Sequence, residues 1–195
     1  MTAQHPPPEI TMTTRTDGSG RRLAVTARTV IKAPRNEIFP LCCPVREEDW
    51  IDGWSRATYD LVFSESGFNE KNCIFQEGFT KRLFFGEEGA TTWVTTVHSP
   101  TEFALEFLLI FGDIAVLNRK MRLDELDTGA TACDCTDTIT LLQGILDDAD
   151  LPTLEMKMKM FLHFTWYALR HYCETGEVLR APPGSVLRRA RGERV

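Results

Sequence analysis

The sequence predicts an α+β domain in which antiparallel strands close around one long C-terminal helix. Three observations lead there. Leu151–Thr175 is the only long helix the chain offers, with apolar residues recurring at helical spacing. Before it, apolar residues alternate in short runs separated by Gly, Asn and Pro, the pattern of half-buried strands. The chain has 195 residues and no internal repeat, a one-domain length able to bury a sizeable core.

Residues 1–22 are rich in Pro, Thr, Ser and Gly and are expected to form a disordered lead. Residues 23–31, LAVTARTVI, are β-branched and alternating, a strand stopped at Ala33-Pro34. Residues 35–41 suit a short helical turn that ends before Pro44. Residues 45–50 suit a second, with Glu47, Glu48 and Asp49 in its first turns. Gly53 then allows a sharp turn before Trp54.

A run of strands follows. Residues 58–64 place Tyr59, Leu61 and Phe63 on one face, and residues 73–79 place Cys73, Phe75, Glu77 and Phe79 together. Residues 91–98 align Trp93, Thr95 and Val97. Residues 102–111 give the clearest alternation, Phe103, Leu105, Phe107, Leu109 and Phe111. Residues 116–127 and 130–142 pair through a turn at Asp127-Thr128-Gly129. Long strands of this kind bend, and a bent sheet facing one helix makes a groove.

The helix carries its own punctuation. Pro152 fits the first turn and Gly176 follows the last periodic residue. Asp147, Asp148 and Asp150 precede it and are expected to cap it, which explains them better than Ca²⁺ coordination does. One face collects Leu154, Met158, Phe161, Leu162, Thr165, Ala168, Leu169 and Tyr172, with Lys159, His163, Arg170 and Glu174 opposite. A second stripe, Met156, Met160, Phe164, Tyr167 and His171, exceeds what one buried face needs.

Composition limits the function classes. The net charge is −6, with +1 on residues 1–22 and +4 on the Arg-rich residues 180–195, leaving −11 on residues 23–179. An acidic body argues against nucleic-acid binding, which needs clustered Lys and Arg. The basic tail reads as a solvated, disordered end. No stretch approaches the roughly 18 apolar residues of a membrane span. The N-terminus lacks a signal-peptide core, so a cytoplasmic location is expected. The six cysteines form no CxxC pair and are expected to be reduced, mostly buried and free of metal.

The stretch Cys43-Pro44-Val45-Arg46-Glu47-Glu48-Asp49-Trp50-Ile51-Asp52-Gly53-Trp54 resembles the SRPBCC superfamily, the START-like or helix-grip proteins. So do Tyr59, Ser64-Glu65-Ser66-Gly67, Phe75, Trp93 and the terminal Glu174-Thr175-Gly176. The likeness covers residues 23–179 and is nearest to a bacterial, polyketide cyclase-like group. It implies a curved seven-stranded antiparallel sheet gripping the C-terminal helix around an apolar cavity. Members bind lipids, sterols, polyketides or other apolar ligands, and some catalyse cyclisation or hydroxylation. The Cys and His pairs of the oxygenase branch have no counterpart here, so no cofactor is carried over.

The expected ligand is therefore a hydrophobic or amphipathic small molecule, held by Phe75, Trp93, Phe107, Leu154, Met158, Phe161 and Thr165, with the N-terminal half of the helix as cavity wall. Phe84 and Phe85, flanked by Lys81-Arg82 and Gly86, read as a lid over the mouth, a contact surface or an extension of the strand. Glu77 interrupts an apolar strand face. It is a candidate acid or base of a cyclase- or dehydratase-type enzyme, or a carboxylate turned outward by strand twist or paired in a salt bridge. Trp50 and Trp54 either line the cavity or stack on a ligand, or plug the end of the sheet where the short helices pack, the favoured reading; His171 with Glu174 reads as a surface pair. Thr165 either orients a ligand or bonds within its helix. A third reading is a homodimer through the Met156–Met160–Phe164–Tyr167 stripe.

Overall fold

The computed structural model describes residues 9–18, 21–52, 59–142 and 151–180. Trp54, the aspartates at 147, 148 and 150, and the tail from residue 181 lie outside the described residues. Strands β1 (Thr11–Thr16) and β2 (Arg22–Ile31) precede helix α1 (Arg35–Leu41) and a 3₁₀ turn (Pro44–Asp49). Strands β3 (Tyr59–Phe63) and β4 (Ile74–Glu77) lead into helix α2 (Phe79–Phe85). Then come β5 (Thr91–Ser99), β6 (Ala104–Ile110), β7 (Ala115–Glu125), β8 (Thr131–Leu141) and helix α3 (Leu151–Thr175). The strands form one antiparallel sheet in the order β1-β2-β8-β7-β6-β5-β4-β3.

The sheet has eight strands, not the expected seven, and the extra one falls in the supposed disordered lead. Thr11–Thr16, TMTTRT, pairs along its whole length with β2, from Thr11 opposite Arg28 to Thr16 opposite Leu23. As an edge strand it needs no apolar face, so it shows no hydrophobic alternation, only threonines of high strand propensity. Its Thr14 hydroxyl donates to Glu155 Oε1 on α3 at 2.8 Å.

One face of the sheet is buried under α3. It carries Leu23, Val25, Ala27 and Ile31 from β2, Leu105, Phe107 and Leu109 from β6, and Leu117 and Leu123 from β7. A bulge between Thr95 and Val97 breaks the register of β5 with β6 and lets the sheet curve. From α3 the core receives Leu154, Met158, Phe161, Leu162, Trp166, Ala168 and Leu169. The helix ends on Gly176, whose φ of 76° only glycine adopts cheaply and whose N–H donates to Tyr172 O at 2.7 Å.

Local expectations fail at three places. Leu61 and Phe63 share a face with buried Tyr59 by alternation, but both are exposed on the outer strand, with a bulge between them. Phe103 lies outside β6 at φ 52°, its ring against Phe39 (5.6 Å) and under the Arg35 guanidinium (4.2 Å). Residues 79–85 form helix α2, where a strand end and an open connection were expected. Among the described residues no helix is long and apolar enough to cross a membrane.

Candidate ligand-binding site

Alternation on β7 and β8 points Ala115, Leu117, Arg119 and Leu123 inward, and Thr131, Cys133, Cys135, Asp137, Ile139 and Leu141 with them. Two of these are charged, and the register sets them opposite each other. Arg119 Nε donates to Asp137 Oδ1 at 2.8 Å and Nη2 to Oδ2 at 2.7 Å, with both side chains almost fully buried. The guanidinium also lies over the Phe161 ring (4.9 Å) and near Trp93 (5.5 Å). Burial alone would lower the Arg119 pKa, but the Asp137 charge and hydrogen bonds outweigh it, so Arg119 stays charged.

Beside this pair is a cavity of about 20 Å³. Its sheet wall is Trp93, Phe107, Arg119 and Met121, and its helix wall is Thr165, Trp166 and Leu169. Cys42, Pro44, Glu47 and Trp50, from α1 and the 3₁₀ turn, close it. Trp50 fits both of its readings: it lines the cavity and it is buried where the short helices pack, its indole N–H donating to Leu41 O at 2.9 Å. Glu47 is half-buried and lines the cavity. Burial pushes its carboxyl up to about 8, against the pull of Arg119 and with a further push from Glu77. Trp166 is buried, and its indole N–H has no acceptor among the described residues.

The expected site residues divide into two groups. Trp93, Phe107 and Thr165 line the cavity. Phe75 stands behind them, its ring stacked on Trp93 at 5.2 Å and edge-on to Phe107 at 6.5 Å. Thr165 also donates its hydroxyl to Phe161 O at 2.8 Å, bonding within its helix. Leu154, Met158 and Phe161 are packed core. The cavity therefore lies against the middle of α3, from Thr165 to Leu169, and not against its N-terminal half.

Helix α2 explains that displacement. Phe84 is buried against Phe161 (5.6 Å) and Phe111 (6.0 Å), and half-buried Phe85 packs on Phe111 at 5.2 Å. Phe79 reaches Phe161 at 6.2 Å, and Lys157 Nζ donates to Phe84 O at 2.9 Å. Phe84 and Phe85 thus fill the N-terminal half of the groove as part of the core, where a lid loop was expected.

Glu77 is inside, as the catalytic reading required, but it is occupied. Its carboxylate accepts from the backbone N–H groups of Phe79 (2.5 Å) and Thr80 (3.0 Å) and from the Trp93 indole N–H (3.0 Å). Burial raises its pKa and these donors pull it back. It neither turns outward nor forms a salt bridge, the two alternatives read from alternation. Its position two residues before α2 makes it the anionic cap of that helix.

Other side chains find different partners from those expected. Glu174 pairs with Arg170 at 3.0 Å and accepts from Lys32 N at 3.0 Å, so the His171–Glu174 surface pair does not form. All six cysteines are free thiols, and burial pushes Cys133 up to about 12 and Cys173 to about 11. Among the described residues no group of three or more His, Cys, Asp or Glu is placed to hold a metal ion. A larger depression, about 370 Å³, lies at the open surface between β1, β2, β8 and α3. Its Arg28 and Asp134 satisfy each other at 2.5 Å.

Sequence reasoning missed Glu47, Arg119, Asp137 and Trp166. Arg119 and Asp137 left a signal, since each interrupts an apolar alternation and their signs are opposite. Trp166 left one too: it falls four residues beyond Leu162 on the apolar face.

The architecture has many counterparts among solved structures. The Zhui aromatase/cyclase from a Streptomyces strain superposes with a TM-score of 0.62 at 11% identity, covering 81% of this chain and 99% of that one. A START superfamily protein from Mycobacterium smegmatis gives 0.56 at 12%, covering 79% and 99%. The fold is the helix-grip fold of the SRPBCC, START-like proteins. The Ara h 8.0201 structure shares it, with a TM-score of 0.53 at 13% identity over 79% of this chain and 99% of that one. No protein-family model matches the chain, and no curated protein does. At these identities the helix-grip likeness establishes architecture alone, and function rests on the cavity.

Proposed function

We propose that this protein holds, in the cytoplasm, a small hydrophobic or amphipathic molecule of lipid, polyketide or aromatic type between the sheet and α3. The observation that carries this reading is the few polar groups in a mostly apolar cavity lining: Glu47, Thr165, Arg119 held by Asp137 behind it, and Trp166, whose indole N–H is unpaired. Buried polar groups of this kind destabilise a fold unless they are matched. Apolar lining would supply most of the affinity, and the polar set the orientation. The aromatase/cyclase and START-like counterparts support the reading by analogy of fold. The charge of −11 over residues 23–179 supports a partner other than nucleic acid.

The cavity is small and only partly open. Its 20 Å³ exceeds only slightly the roughly 10–15 Å³ that one water needs. A ligand therefore enters by displacing a wall. The 3₁₀ turn, which lacks a side-chain cap, and the flexible, half-buried Met121 are the parts that yield most easily. Native mass spectrometry of protein purified from its own host should show a retained small molecule. An empty protein that also gives no thermal shift across a panel of lipids and aromatic compounds would overturn the reading.

A second reading, an acid–base enzyme of the cyclase or dehydratase type, is favoured by Glu47 and not by Glu77. Glu47 faces the cavity and is poised near neutrality, whereas the oxygens of Glu77 are taken up by N–H donors. Turnover that survives Glu47→Gln would exclude it. The homodimer reading has a narrower base: Met156 and Met160 are exposed, but Phe164 packs on the chain's own core and Tyr167 is half-buried. Two methionines fall far short of the roughly 800 Å² per partner of a stable interface.

A further inference from the structure

The cavity's hydrogen-bonding groups narrow the class of ligand. Trp166 is 1% exposed, and its Nε1–H meets no acceptor among the described residues. Indole only donates, so the matching ligand atom is an acceptor. A hydrocarbon in the cavity would leave that donor unpaired. Arg119 is the cation at the cavity, and Asp137 neutralises it through two hydrogen bonds, at 2.8 and 2.7 Å. No other cation lines the cavity among the described residues. A carboxylate ligand would therefore be stripped of water without finding a free positive charge.

We propose that the cavity selects a compact, uncharged ligand with a carbonyl-type oxygen, which accepts a hydrogen bond from Trp166 Nε1–H. This rests on the binding reading above and narrows it. Glu47 supplies a second donor while its carboxyl is protonated, a state that burial preserves to about pH 8. The titratable and charged groups around Glu47 are Arg119 with Asp137 on the sheet, Glu77 on β4, and Cys42 and Cys43 on its own segment. The cavity wall from α3 is Thr165, Trp166 and Leu169, all uncharged.

Acetophenone, ethylbenzene and benzoate share a ring and a size but carry a ketone, no polar group and a carboxylate. The full chain is titrated with each at neutral pH, following the indole N–H resonances in nitrogen-edited NMR spectra, with Trp166 assigned through Trp166→Phe. Acetophenone should shift the Trp166 resonance downfield and bind roughly ten-fold tighter than ethylbenzene, with benzoate weakest. Trp166→Phe should cut the preference for the ketone several-fold while ethylbenzene still binds. Equal affinities, or acetophenone bound with the Trp166 resonance unmoved, overturn the inference and leave the binding reading standing. Failure of all three to bind counts against the binding reading itself and takes the inference with it. If Trp166→Phe does not fold, the wild-type ratio of ketone to hydrocarbon affinity decides. A ratio near one at neutral pH overturns the inference.

Discussion

At the scale of single residues, the charged side chains of the core are specified more tightly than the apolar ones. Glu77 ties β4 to α2 and to Trp93 through three N–H donors. Glu77→Ala leaves those donors facing an apolar interior and should cost about 2–3 kcal/mol, read from denaturant midpoints. Arg119 and Asp137 behave as a unit: Asp137→Asn strands a buried guanidinium and should cost about 3–5 kcal/mol. The double replacement Arg119→Met with Asp137→Leu should recover most of that loss. Glu47 gives a pH signature. Its carboxyl titrates at about 8 in the folded chain against an ordinary 4.5, so between those values the folded state holds a proton that the unfolded state has released. Stability attributable to Glu47 is therefore present at low pH, declines as the pH rises from about 4.5 to about 8, and is constant above. In Glu47→Gln that decline should be smaller, as thermal melts across the range will show.

At the scale of elements, two short segments decide where the groove remains open. Helix α2 places Phe79, Phe84 and Phe85 against Phe161 and Phe111 and so fills the half of the groove nearest the start of α3. The 3₁₀ turn contributes Glu47 and delivers Trp50 to the other half. At the far end of α3, Gly176 holds the left-handed stop. Gly176→Ala forces a side chain into that conformation and should lower stability by about 1 kcal/mol, a small but measurable fall in melting temperature. Strand β1 is legible only as an edge. Its polar threonines carry no burial pattern, and the ladder with β2 gives it order.

At the scale of the whole molecule, Phe161 is the residue through which sheet, α2 and α3 meet. It touches Phe79, Phe84 and the Arg119 guanidinium, and is almost fully buried. Phe161→Ala should destabilise the protein by roughly 3–5 kcal/mol and enlarge the cavity toward α2. The variant should then take up acetophenone faster than wild type, as stopped-flow tryptophan fluorescence would record. An unchanged uptake rate would mean that entry is governed by the 3₁₀ turn alone.

Periodicity sufficed for the plan of the molecule: the seven strands from residue 23 onward, the two short helical segments after the first of them and the long final helix all follow from alternation, breakers and caps. Those are local properties, written in two- and 3.6-residue repeats. Trp93, Phe107 and Thr165 were legible as inward-facing residues for the same reason, since each lies on a face that must turn inward. What lies beside them was decided in three dimensions. Whether an inward face is core or cavity depends on what the opposite layer brings, and α2 brought three phenylalanines to one end and none to the other. Glu77 looked like the odd group on an apolar strand, yet its meaning came from the start of α2 and from Trp93, 16 residues away in sequence. Glu47, Arg119 and Trp166 come from a 3₁₀ turn, a strand and a helix far apart in the chain. They become one site only because the sheet curves around α3, and no local repeat records that approach.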